Sequence, residues 1–135
     1  MTTKPAEPPT TYLLQVQAPT LEALFMEAAQ RMVQLAEVSR KPTMTIRRPV
    51  DVRGEDYATL LLAWLRELLT FMDFEDRVFT EFEIIQLSPI RLHAQAVGGI
   101  KHGPPQHKLV LELGIEIFVR QTPEGYSVEI PFTRN

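Results

Sequence analysis

Tyr12, Leu14, Val16 and Ala18 alternate with Leu13, Gln15 and Gln17, the period of two that a strand with one buried face produces. Pro19 ends that run, and the next apolar residues recur at three- and four-residue spacing: Leu21, Leu24, Phe25, Ala28, Ala29, Met32 and Val33. Such spacing places them on one side of a helix, with Thr20 as its cap and Glu22 near its positive end. That stripe is expected to face a sheet. Between Lys41 and Val52 the signal thins to Met44, Ile46 and Val50, a strand that Pro49 confines to an edge or a bulge. Gly54 then breaks the chain before a second helix. Tyr57, Leu60, Leu61, Trp64, Leu65, Leu68, Leu69 and Met72 line one face of it, and Leu62 and Ala63 widen that face, which predicts a central helix. Four further strands are expected at Phe79–Leu87, Ile90–Val97, Lys108–Arg120 and Tyr126–Phe132, the first two joined at Ser88-Pro89 and the last two at Thr122–Gly125. The order is β-α-β-α-β-β-β-β. Strands gathered after two helices favour an α+β domain, a mixed sheet with two helices packed on one face, over a doubly wound parallel fold. No internal repeat is present.

Composition sets bounds around that pattern. With 135 residues and 44% hydrophobic content the chain suffices for one core, and a single domain is expected over residues 10–135. Residues 1–9 carry three of the 11 prolines and almost nothing to bury, so they are expected to form a flexible Pro-rich tail. Fourteen basic and 17 acidic residues leave a formal net charge of -3, which provides no broad basic surface for nucleic acid. Direct nucleic-acid binding is not expected. The absence of cysteine excludes disulfides, zinc-thiolate sites and a cysteine nucleophile. No secretory signal or membrane-spanning stretch is legible, and a cytoplasmic protein is the expectation.

Two helical signatures carry a family resemblance. Thr20-Leu-Glu-Ala-Leu-Phe25 matches the Thr-Leu-Glu-Glu-Ala-Phe that leads the first helix of archeases, and Glu55-Asp56 with Leu61-Leu-Ala-Trp-Leu-Arg-Glu-Leu-Leu69 matches that family's second signature. A looser match follows in His107-Lys-Leu-Val-Leu-Glu112, a histidine before a Leu-x-x-Glu strand, and in the closing apolar strand Val128-Glu-Ile-Pro-Phe132. From about Thr10 onward the chain therefore resembles the archease family. The resemblance implies an accessory protein rather than an enzyme, one that helps an RNA-splicing ligase in tRNA maturation by promoting ligase guanylylation and multiple turnover. It also implies a divalent metal (calcium, magnesium or manganese) in an acidic pocket, where carboxylate oxygens suit a hard cation.

Position by position, that site is altered. Alignment on the first helix puts Thr11 where the opening His-Thr-Ala-Asp-Ile-Gly motif has its aspartate, with Pro8, Pro9 and Thr10 at His-Thr-Ala. Alignment on the last strand puts Thr133 at the family's closing aspartate, while an expected lysine and Tyr-His pair become Gly114, Phe118 and Val119. A threonine offers a neutral hydroxyl where aspartate offers a charged acceptor, so a degraded metal site is expected. Among matching polar positions the candidate ligands are Glu67, His107 and Glu112. Glu67 also reads as a solvated helix residue or a contact to the sheet, and His107 as a hydrogen-bond partner at the end of the loop Gly103-Pro-Pro-Gln106. Glu112 and Glu116 are expected to share one face of a strand.

Other constellations are weaker. Gly98-Gly99 lacks the spacing and following helix of a phosphate loop. Asp73, Glu75 and Asp76 cluster at the end of the second helix and read as a solvated turn or a cation site. Arg47, Arg48 and Arg53 read as a local basic patch, or as charges that keep an edge strand from aggregating. No nucleophile-base pair can be assembled. The alternative to ligase assistance is a diverged, non-catalytic protein-interaction module on the archease scaffold.

Overall fold

The computed structural model describes residues 10–36, 46–74, 77–100 and 108–134. The expected tail over residues 1–9 lies outside them. Seven strands and two helices follow in the order β1 (Thr10–Ala18), α1 (Leu21–Leu35), β2 (Ile46–Arg53), α2 (Tyr57–Phe74), β3 (Arg77–Leu87), β4 (Arg91–Ile100), β5 (Leu109–Val110), β6 (Arg120–Thr122) and β7 (Gly125–Arg134).

Local chemistry fixes the helix starts. Thr20 is extended (φ -131, ψ 163) and its hydroxyl accepts the Ala23 N–H at 3.1 Å, satisfying one of the donors that a first turn leaves open. At α2, Asp56 Oδ1 accepts the Thr59 N–H at 2.8 Å while Thr59 Oγ1 accepts the Asp56 N–H at 3.1 Å, a reciprocal capping box. The far end of α1 is held by Arg134, which donates to the Leu35 carbonyl and stacks its guanidinium 4.7 Å from the Tyr12 ring centre.

The α+β class and the element order agree with the sequence pattern, but the single mixed sheet does not. The strands divide into two sheets, β1-β7-β5 with β6 also on β7, and β2-β4-β3, and every pairing is antiparallel. The expected strand Lys108–Arg120 is also interrupted. Val110 pairs with Thr133 and Arg120 with Ser127, so nine residues (111–119) lie opposite five (128–132). The surplus cannot follow the ladder, and residues 111–119 arch away from β7.

Both helices lie on the inner side of these sheets. Helix α1 packs on β1, β7 and β3, thereby bridging the sheets, while α2 packs on β2, β3, β4 and α1. The inner faces contribute Val16, Val128, Ile130 and Phe132 from one sheet and Val50, Leu92, Ala94 and Ala96 from the other, all buried. Trp64 occupies the junction. It is fully buried, its Nε1 donates to the Phe25 carbonyl of α1 at 3.0 Å, and its ring meets Phe82 of β3 edge to face with centroids 5.8 Å apart. Gly98 lets β3 approach β4, since a Cβ there would stand 1.7 Å from the Val78 carbonyl oxygen.

Candidate functional site

Strand alternation settles where Thr11 and Thr133 point. Ile130 and Phe132 of β7 are buried inward, so Thr133 between Phe132 and Arg134 faces outward. Thr11 is its direct partner across the β1–β7 ladder, and Val110 of β5 is its partner on the other side. The two threonines predicted from opposite ends of the chain are thus adjacent on the outer face of the first sheet.

The other candidates lie on different elements. Glu67 is half-buried on α2, whose strand contacts are with the second sheet. Glu112 is exposed at the start of the arch, and its main-chain oxygen accepts a 2.7 Å hydrogen bond from Arg66 Nη2 of α2. Its expected strand-face relation to Glu116 is not formed, because both lie in the arch rather than in a strand. His107 lies outside the described residues. Among the described residues no three carboxylates or imidazoles form a group that could hold a metal ion. The Thr11–Thr133 pair itself does not fit a hard divalent cation. It offers neutral hydroxyls, and the charged residue next to Thr133 in sequence, Arg134, is a cation.

Charges elsewhere sort into local pairs. Arg47 and Arg53 are exposed on the outer face of β2, but Arg48 points inward with its guanidinium 4.5 Å from the Phe71 ring centre, so the three arginines are not one patch. Asp51 receives two hydrogen bonds from Arg91, at 2.7 and 3.2 Å, which hold its carboxyl below the ordinary range. Asp56 is likewise held low, first by the Thr59 N–H and then by the Thr59 hydroxyl. Burial pushes the Asp73 carboxyl up, and Lys108 partly offsets this. Glu75 and Asp76, the rest of that expected cluster, lie outside the described residues.

Two features escaped the sequence reading. The pair Asp56-x-x-Thr59 carries the spacing of a capping box and was legible as one. The Arg66 tether to Glu112 carries no sequence signal, because its acceptor is a main-chain carbonyl.

Two helices on the inner side of two antiparallel sheets, with a Trp-centred junction, define an α+β domain. A family model for the archease protein family matches residues 11–110, and the chain belongs to that family. No curated protein matches the chain. Family membership supports an archease-like accessory role. Among the described residues no helix is long and apolar enough to cross a membrane.

Proposed function

We propose that this chain is a cytoplasmic accessory protein that assists an RNA-splicing ligase in tRNA maturation by protein contact, without a resident divalent metal of its own. The observation that carries the reading is the family match over residues 11–110, which includes both helical signatures. The loss of the metal is supported by Thr11 and Thr133, paired in register and offering no charge to a hard cation. A reconstituted reaction tests the first part, with purified ligase, GTP and RNA bearing 3′-phosphate and 5′-hydroxyl ends. The protein is expected to raise ligase guanylylation and the number of turnovers. Absence of both, together with absence of binding to the ligase, overturns the proposal.

Calorimetric titration with calcium, magnesium and manganese tests the second part. The unmodified chain is expected to bind none, and the double variant Thr11→Asp, Thr133→Asp to bind at least one. Binding by the unmodified chain overturns the degraded site and returns Glu67, His107 and Glu112 as its candidate ligands. The same threonine pair favours a second reading, an interaction module kept on this scaffold after ligase activation was lost. Ligase binding without any rise in turnover distinguishes it.

A further inference from the structure

Residues 111–119 have the composition of a strand and, among the described residues, no strand partner. Leu111, Leu113, Ile115, Ile117 and Val119 recur at every second position, yet the segment joins no ladder between Val110 and Arg120. Its backbone is tied to α2 by the hydrogen bond from Arg66 to the Glu112 carbonyl. Opposite it, residues 128–132 of β7 have a strand partner in β1 and, among the described residues, none on the arch side. Gly114 turns the arch with φ +79, and no atom lies within 4 Å of where its Cβ would be.

The arch is bordered by clefts. One of about 390 Å³ opens between it and the outer face of β1 and β7, with Leu13, Phe118 and Pro131 as apolar lining and Glu116, Glu129 and Arg120 as charged lining. Another, about 620 Å³, separates it from the start of α2. Leu113 is 87% and Phe118 65% exposed, the highest values among the large hydrophobic side chains of the described residues.

We propose that the arch is the docking strand for an extended, apolar and basic peptide segment of a protein partner. Resting on the reading of this chain as an accessory protein, the proposal assigns the surface through which it holds that partner. Beyond the Gly114 turn, main-chain groups outside any ladder can be met by another extended backbone, with alternate side chains entering flanking clefts. Leu13, Phe118 and Leu113 supply apolar contact, and the carboxylates of Glu116 and Glu129 favour a lysine or arginine on the incoming strand. The same carboxylates oppose a phosphate backbone, and arch-to-arch pairing of two copies would bring acidic strands together.

The test uses the full chain and a capped ten-residue peptide of alternating threonine and leucine or valine with three lysines. Two companion peptides carry proline at alternate positions or glutamate in place of lysine. The lysine peptide is expected to bind and to slow amide exchange across residues 112–118, and both companions to bind at least about tenfold more weakly, since one loses backbone donors and the other reverses the charge. No binding by the lysine peptide, equal binding by the proline peptide, or protection confined to other residues overturns the proposal. So does a dimer in sedimentation that the double variant Leu113→Ser, Phe118→Ser dissolves, which would assign the arch to a second copy.

That double variant separates this proposal from the one beneath it. With Tm unchanged, loss of peptide binding together with loss of ligase stimulation supports the docking strand. Full stimulation by the variant overturns the docking strand and leaves the accessory reading standing. Failure of the unmodified chain to stimulate or bind the ligase overturns the accessory reading, while amide protection by the lysine peptide still supports the arch as a peptide site.

Discussion

In the sheet of β2, β4 and β3, the central strand is paired on both sides along nearly its whole length, with two bulges on β3 as the interruptions. In the sheet of β1, β7, β5 and β6, the central strand β7 is fully paired on one side and paired only at its ends on the other. Both sheets bury an apolar inner face against the helices, so burial does not distinguish them. The difference is arithmetic. Chain length matches ladder length in the first sheet and exceeds it in the second, and the excess becomes surface. One sheet is finished as a structural element, and the other leaves a segment of alternating apolar residues outside its ladder, with Leu113 and Phe118 exposed.

The largest expected effect falls at the junction that both sheets share. Trp64→Ala removes a fully buried ring and leaves the Phe25 carbonyl without its indole donor. A loss of about 3–5 kcal/mol is expected from the cavity, read as the shift in urea midpoint. A loss under about 1 kcal/mol would mean that the helix-to-helix tie does not organise the core.

A smaller effect contrasts two glycines. Gly98→Ala places a methyl 1.7 Å from the Val78 carbonyl oxygen, inside the finished ladder, and is expected to cost about 1–3 kcal/mol through overpacking and strand displacement. Gly114→Ala meets no atom within 4 Å but must keep φ +79, so only a backbone penalty of about 1–2 kcal/mol remains. Thermal unfolding of the two variants checks the order, and a greater loss at Gly114 would contradict a loosely held arch.

Smaller again is the cap of α2. Asp56→Ala is expected to cost about 1 kcal/mol. Its sign with pH follows from the depressed carboxyl of Asp56, whose ordinary value is 3.8. The contribution is fully present above that value and is lost as pH falls through the lower folded-state pKa. Asp56→Asn keeps an acceptor for the Thr59 N–H and is expected to flatten that acid-side loss in urea titrations at successive pH values. An unchanged acid limb would show that the carboxylate is not what holds the turn.

How much of this was legible depends on whether a property belongs to one segment or to two. The spacing of Leu24, Phe25, Ala28, Ala29 and Met32, and of Leu60, Leu61, Trp64, Leu65 and Leu68, reports a buried helix face by itself, and all ten are buried. Alternation likewise marked β1 and the inner face of β7. Periodicity does not report which strand a strand will pair with, so the division into two antiparallel sheets was missed. Nor does it report a length mismatch, so Lys108–Arg120 read as one strand although only its ends pair. Thr11 and Thr133 were singled out by the family resemblance. Their adjacency in the ladder required the register.

The smallest expected effect on stability tests the comparison most sharply. A strand-forming segment whose apolar residues support the fold would lose stability when they are made polar, as Ile117 would, being buried. Leu113 and Phe118 already stand largely in water, at 87% and 65% exposure, so little apolar area returns to solvent when serine replaces them. Leu113→Ser and Phe118→Ser are each expected to change stability by no more than about 0.5 kcal/mol, measured as the urea midpoint. Losses near the Trp64→Ala value would mean that the arch closes the first sheet as a packed layer. Near-zero losses mean instead that the fold retains two large apolar side chains which it does not use for its own stability, as a surface shaped for another chain would.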